Sequence, residues 1–301
     1  MTKPDPKIEV VGIGQCAIDY LGVVDTHPEV DEKTELWDFK IEGGGPAATA
    51  MVTLSRLGVS TSFIGKIGDD DFGRMIMQGL NVEYVDISGI IIEAGKRSQF
   101  AFISVENDTG KRNIFFTRGT VSPLEFNQIN KSLIDNCKIL HLDGLMIDVS
   151  LDAAKYARSI GKKVSLDAGT LRDGMIELCR HTDYLVTSEK FARSFVNSTD
   201  YEHALREMKK LGPEIVCSTL GEKGSILLKD DIILHQPAYS MVGVVDTTGA
   251  GDVFHGGFIY GMLKGYDIKK TLNFASFASA LKCKQLGGRS GIPRADKFDT
   301  L

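Results

Sequence analysis

Short apolar, β-branched runs alternate along the chain with segments whose apolar positions recur at helical spacing. Residues 8–13, Ile-Glu-Val-Val-Gly-Ile, read as a buried strand. A second strand over 61–67 follows a helical pattern over 47–57, and further strands fall at 137–142, 163–166, 184–187 and 215–219. Helices are predicted between them at about 148–160, 171–179 and 200–211. A hairpin over 225–228 and 232–235 comes next, and helices at about 250–264 and 268–285 close the chain. Strands that alternate with helices predict an α/β fold, a three-layer sandwich with a mostly parallel sheet covered on both faces. No repeat or long linker divides the sequence, so residues 1–301 are expected to form a single domain.

Two stretches break that rhythm. Residues 18–25, 34–41, 98–105 and 112–116 alternate like half-exposed strands but lack helices to cover them. They predict a small projecting β lid built from about 18–41 and 89–118. An uncovered sheet has an apolar face that needs a partner, either a substrate cleft or a second subunit.

Asp246-Thr-Thr-Gly-Ala-Gly-Asp252 carries the strongest chemical signal. Residues 241–245 read as a short strand before it, and Phe254, Phe258 and Met262 give the following helix one apolar face. Gly249, Ala250 and Gly251 place free N–H groups at a helix N-terminus, where an oxyanion is stabilised. A carboxylate beside an anion hole repels the anion it flanks. Asp252 makes chemical sense as a base that takes a proton from a hydroxyl while the hole holds a phosphate. The plainer alternative is an acidic residue that stabilises a helix N-terminus.

Gly43-Gly44-Gly45-Pro46 opens a helix, and three successive glycines point to a ligand lying close to backbone. Thr219-Leu-Gly-Glu-Lys-Gly224 reads either as a β-turn or as a nucleotide wall. Gly12-Ile-Gly-Gln-Cys-Ala17 mimics a dinucleotide fingerprint, but strand pattern rather than a helix follows it. The P-loop pattern is absent from the sequence.

A net charge of −5 and scattered lysine pairs argue against a nucleic-acid surface. The apolar runs are too short to span a bilayer, and Met-Thr-Lys-Pro-Asp-Pro has no apolar signal segment, so a cytoplasmic protein is expected. The five cysteines are widely spaced and lack a Cys-x-x-Cys pair, which predicts buried packing rather than zinc or disulfides. His255, three residues after Asp252, reads as a packed histidine beside the site.

Gly44-Gly-Pro-Ala-Ala-Thr-Ala50 through Arg56-Leu-Gly58, Phe63–Gly73 and Asp246–Gly257 together resemble the ribokinase-like (PfkB) family of carbohydrate kinases. The resemblance spans nearly the whole chain. It implies an ATP-dependent kinase acting on a hydroxymethyl group, with Mg²⁺ and K⁺ as expected ions and a homodimer clasped through the lid. Carried over by position, Asp252 is the base and Gly249, Ala250 and Gly251 form the anion hole. Asp19, Gly44, Gly45 and Thr49 face the acceptor; Ser188, Thr219, Gly221 and Gly224 face the nucleotide. Glu189 stands near the Mg²⁺ region. Asp246 and Thr248, with Gly287–Pro293, match a monovalent-cation loop. Asp167 and Arg172 resemble a segment near the phosphates. Thr49 replaces a common Asn, Pro46 replaces the Lys of ribokinases proper, and Ser188-Glu-Lys-Phe191 departs from Asn-x-x-Glu. A nucleoside or other small alcohol is the alternative acceptor, and a non-catalytic sugar sensor is the alternative role.

Overall fold

Continuous apolar runs become central strands and alternating runs become a separate small sheet in the computed structural model, which describes residues 8–298. The opening Met-Thr-Lys-Pro-Asp-Pro, with its expected lack of a signal segment, lies outside the described residues. The first half runs β1 (Val10–Ile13), β2 (Ala17–Val24), β3 (Asp38–Gly44), α1 (Pro46–Arg56), β4 (Thr61–Gly68), α2 (Asp71–Asn81), β5 (Asp86–Glu93), β6 (Phe100–Glu106), β7 (Arg112–Thr117) and α3 (Lys131–Asn136). Then come β8 (Ile139–Leu142), α4 (Ile147–Ser159), β9 (Lys163–Ala168), α5 (Met175–Arg180), β10 (Tyr184–Ser188), α6 (Glu189–Val196), α7 (Tyr201–Lys209) and β11 (Ile215–Thr219). The hairpin β12 (Ser225–Lys229) and β13 (Ile232–Gln236) precedes α8 (Ala250–Leu263) and α9 (Ile268–Lys282).

The large sheet has the order β13-β12-β11-β10-β9-β8-β1-β4-β5, parallel except at β12 and β13. Successive strand residues face opposite sides, so the pleat feeds two cores. Val10, Ile139, Val186 and Cys217 pack with α1, α2, α8 and α9. Val11, Leu140, Leu185 and Val216 pack with α4 to α7. Each fully buried apolar side chain there contributes roughly 1.5–3 kcal/mol. The five cysteines are free and buried, as their spacing predicts. The chain winds from β1 toward β4 and β5, then resumes on the other side of β1 with β8. That reversal opens a crevice at the carboxyl ends of β4, β1 and β8.

The small sheet has the order β3-β2-β6-β7. Its inner face carries Leu21, Ala101, Ile103 and Val105, which pack with Leu286. The expected lid segment 89–118 needs one correction: Asp86–Glu93 pairs with β4 at the edge of the large sheet. Ile90 packs against one core and Ile91 against the other, which a two-faced position requires. The lid strand expected over 34–41 lies at Asp38–Gly44.

Two other expectations change. Residues 241–245 form no strand: β13 already edges the sheet, Val242 is 94% exposed, and the segment crosses the sheet end, held where Val245 N donates to Cys283 O. Helix α8 was expected to show one apolar face, but Val253–Ile259 are all buried, because α1 and α9 flank it on separate sides.

Candidate active site

The acceptor side is built where the lid meets the crevice. Asp19 comes from β2 and Gly44 from its partner β3, and a side chain at Gly44 would run into the Asp19 carboxylate. Burial pushes the Asp19 carboxyl up to about 6, with Arg289 opposing and Glu42 and Asp246 assisting. Arg289 ties this group together. Its Nη2 donates to Gly44 O at 3.0 Å, its Nε to Thr49 Oγ1 at 3.3 Å, and its backbone N to Glu42 Oε2 at 2.9 Å. Thr49 is therefore buried beneath the guanidinium rather than open to the cleft. Gly45, with φ of 95°, caps α1 and leads into Pro46 at its first turn.

Beside this group lies the turn Gly249-Ala250-Gly251-Asp252. Gly249 has φ of 75°, and a Cβ there would lie 2.6 Å from Gly288 O, so a bare α-carbon is required. Asp252 sits in the first turn of α8 and is half-buried. Loss of solvent pushes its carboxyl up to about 7; Asp167 and Asp19 add to the rise, and His255 and Arg289 oppose it. Asp167 ends β9 and lies 3.2 Å from His255 Nε2. Burial works against the Asp167 carboxylate, but His255 and then His141 hold it below the usual range. Burial likewise disfavours the His255 imidazolium, and Asp167 outweighs it, so His255 is raised. The neighbouring carboxylates Asp167 and Asp252 thus have opposite tendencies.

Ser188 and Thr219, expected to face the nucleotide, end β10 and β11. Ser188 and Thr219 are register partners. Ser188 Oγ donates to Gly169 O at 2.8 Å and accepts from Phe191 N, capping α6. Thr219 Oγ1 donates to Thr187 O at 3.3 Å. Gly221 and Gly224 have φ of 59° and 93° in the turn to β12. Glu189 is engaged: its Oε1 accepts from Tyr201 Oη at 2.5 Å and from Lys223 Nζ at 3.0 Å. Among the described residues no group of three or more His, Cys, Asp or Glu side chains is placed to hold a metal. A Mg²⁺ at Glu189 would have to displace the Lys223 ammonium.

Asp246 accepts from Thr248 and from Gly287 N, which brings it to the 287–293 segment that the resemblance pairs with it. Three participants escaped the sequence reading. Asp143 ends β8 and accepts from Gln15 N at 2.7 Å and Leu145 N at 3.0 Å; burial pushes its carboxyl up to about 7. A carboxylate at a strand's C-terminal end was the available signal. Arg289 stood in the glycine-rich 287–291 segment, where a charged side chain was the cue. Lys282 looked like an ordinary helix-terminal lysine.

Residues 7–295 match the pfkB family carbohydrate kinases. The chain belongs to that family. Its members are phosphotransferases with an alcohol acceptor, and so is this protein. It is 33% identical to an uncharacterized sugar kinase of Archaeoglobus fulgidus, over 80% of this chain and 98% of the other. It is 28% identical to a nucleoside kinase of Methanothermobacter thermautotrophicus, over 95% and 92%. Ribokinase of Thermotoga maritima superposes with a TM-score of 0.84 at 26% identity, covering 96% of this chain and 97% of that one. The ribokinase-like fold, the lid and the kinase class thus agree with the sequence reading, while the relatives span both sugar and nucleoside kinases. No helix among the described residues is long and apolar enough to cross a membrane.

Proposed function

We propose that this chain transfers the γ-phosphoryl group of ATP to a primary hydroxyl of a sugar or sugar-like acceptor, with Asp252 as the base. The observation that carries the reading is the position of Asp252. It sits beside the Gly249–Gly251 turn, in which Ala250 N donates to Thr247 O at 3.2 Å and Gly249 and Gly251 remain as donors for the phosphoryl group, and it is within electrostatic reach of Asp19. The acceptor hydroxyl gives its proton to Asp252 as its oxygen bonds to the γ-phosphorus, and the bond to ADP breaks. The N–H groups stabilise charge on the transferring oxygens. Asp19 holds acceptor hydroxyls, and the Thr219–Gly224 turn with Ser188 borders the nucleotide. Mg²⁺ supplies charge neutralisation on ATP, carried by phosphate oxygens and water.

A nucleoside acceptor is the second reading, and the amide groups of Gln15 and Gln99 at the edge of the crevice support it. Both line a cavity of about 830 Å³ with Gly14, Cys16 and Met146, a space that Asp19 and Asp252 do not line. Gln99 Nε2 donates to Gln15 Oε1 at 3.3 Å there, which leaves amide groups to meet a second ring. A panel of sugars and nucleosides, followed by ADP release, separates the readings. ADP release with no member of either class would refute both.

The outer lid face supports a homodimer. Tyr20, Ile41, Phe102 and Phe115 share that face through strand register. Phe115 is 63% exposed, and a second lid would cover the face.

A further inference from the structure

Lys282, in the last turn of α9, is fully buried and belongs to neither substrate group. An ammonium group in the interior is stable only when paired, so its contacts indicate its role. Its Nζ donates to the main-chain oxygen of Asp246 at 2.7 Å. Asp246 is also fully buried, and its carboxylate organises the two loops around it. Oδ1 accepts from the backbone N and the hydroxyl of Thr248, both at 2.8 Å, and Oδ2 accepts from Gly287 N at 2.9 Å. Gly288 O then abuts Gly249, the first residue of the anion hole. On the far side, a side chain at Gly291 would strike the main-chain carbonyl of Lys282. Loops 246–249 and 287–291 are thus joined through Asp246, whose carbonyl takes the buried ammonium and whose carboxylate takes Gly287 N. A dissolved K⁺ beside the Asp246 carbonyl would lie against the Lys282 ammonium already 2.7 Å from that oxygen, and the like charges would repel.

We propose that the Lys282 ammonium is a built-in monovalent cation, a positioning residue that holds the anion-hole loop and makes added K⁺ unnecessary. The inference rests on the kinase reading for its link to turnover, but not for its link to ion binding. The test compares the parent and Lys282→Ala in tetramethylammonium, potassium and methylammonium chloride at about 0.1 M, so that screening is constant. Parent ADP formation should change by less than about two-fold between salts. The variant should lose about ten- to a hundred-fold in tetramethylammonium and recover with K⁺ or methylammonium. K⁺ should also raise the variant's melting temperature and leave the parent's unchanged, a readout that needs no acceptor. Turnover absent with every acceptor would therefore refute the kinase reading alone. Strong K⁺ stimulation of the parent would overturn the proposal. So would a folded variant that is fully active in tetramethylammonium, or one that no cation restores. If circular dichroism shows Lys282→Ala unfolded, Lys282→Met retains the stem without the charge, and the parent's salt response still decides.

Discussion

Asp252→Asn separates the base from the fold that holds it. The side chain keeps its shape and loses only its ability to take a proton. If Asp252 is the base, turnover should fall by roughly 10²–10⁴ while ATP affinity persists. The stability effect should have the opposite sign. Asp252 is pushed up from 3.8 to about 7, chiefly by burial, so the folded chain resists its ionisation. That rise is equivalent to about 4 kcal/mol, and solvent reaching the half-buried side chain reduces it to about 2 kcal/mol. Below pH 4 the group is protonated whether folded or unfolded, and the penalty is absent. It builds as pH rises toward 7 and is complete above it. Asn removes it, so the variant should match the parent in acid and exceed it by about 2 kcal/mol at pH 8. Urea denaturation at both pH values and a coupled ADP assay measure the two effects. Parent-level turnover by Asp252→Asn would remove the base assignment. A variant less stable than the parent at pH 8 would refute the electrostatic reasoning even if turnover were lost.

Three further outcomes follow from neighbouring groups. Asp19→Asn should raise KM for the acceptor about ten- to a hundred-fold with little change in kcat. Because its carboxyl titrates at about 6, parent KM should also rise as pH falls below that value; a flat KM in both tests removes its acceptor role. Arg289→Met removes the donors to Gly44 O and Thr49 Oγ1 and should cost roughly 1–3 kcal/mol in urea denaturation; an unchanged midpoint would show that these contacts do not hold the group together. Light scattering should give a dimer for the parent and a monomer for Phe115→Glu, and a monomeric parent would end the clasp proposal.

How much of the fold could be read depends on whether its signal is local. β1, β8, β10 and β11 are largely buried on both faces and show as short, mainly apolar runs, while β9 shows through Val164 and Leu166 around the buried Ser165. The lid was visible for the complementary reason: Tyr20 and Leu21, or Phe102 and Ile103, face opposite sides and have different surroundings. Asp86–Glu93 was misplaced because its identity depends on pairing with β4, not on its own pattern. Residues 241–245 carry strand-forming valines, but β propensity without a free neighbouring strand makes no sheet.

The site divides in the same way. Gly249–Asp252 was legible because donors and carboxylate occupy one continuous turn. Arg289 was not, since Thr49 and Gly44, the groups it touches, lie some 240 residues away in sequence. This distance matters most for charge. Asp19, Asp143, Asp167, Asp246 and Asp252 are identical side chains in the sequence, and nothing adjacent to each fixes its ionisation. His255 holds Asp167 low, while burial without such an ion pair raises Asp143. Asp252 lies between these cases: it is raised by burial and Asp167 and partly relieved by His255. A carboxyl pushed up to about 7 at the start of α8 therefore depends on burial and on partners from β9, β2 and the 287–291 loop. ATP adds negative charge to the same place, so Asp252 would rise further unless cations accompany the phosphates. The base strength that favours proton removal is thus coupled to how the nucleotide's charge is neutralised.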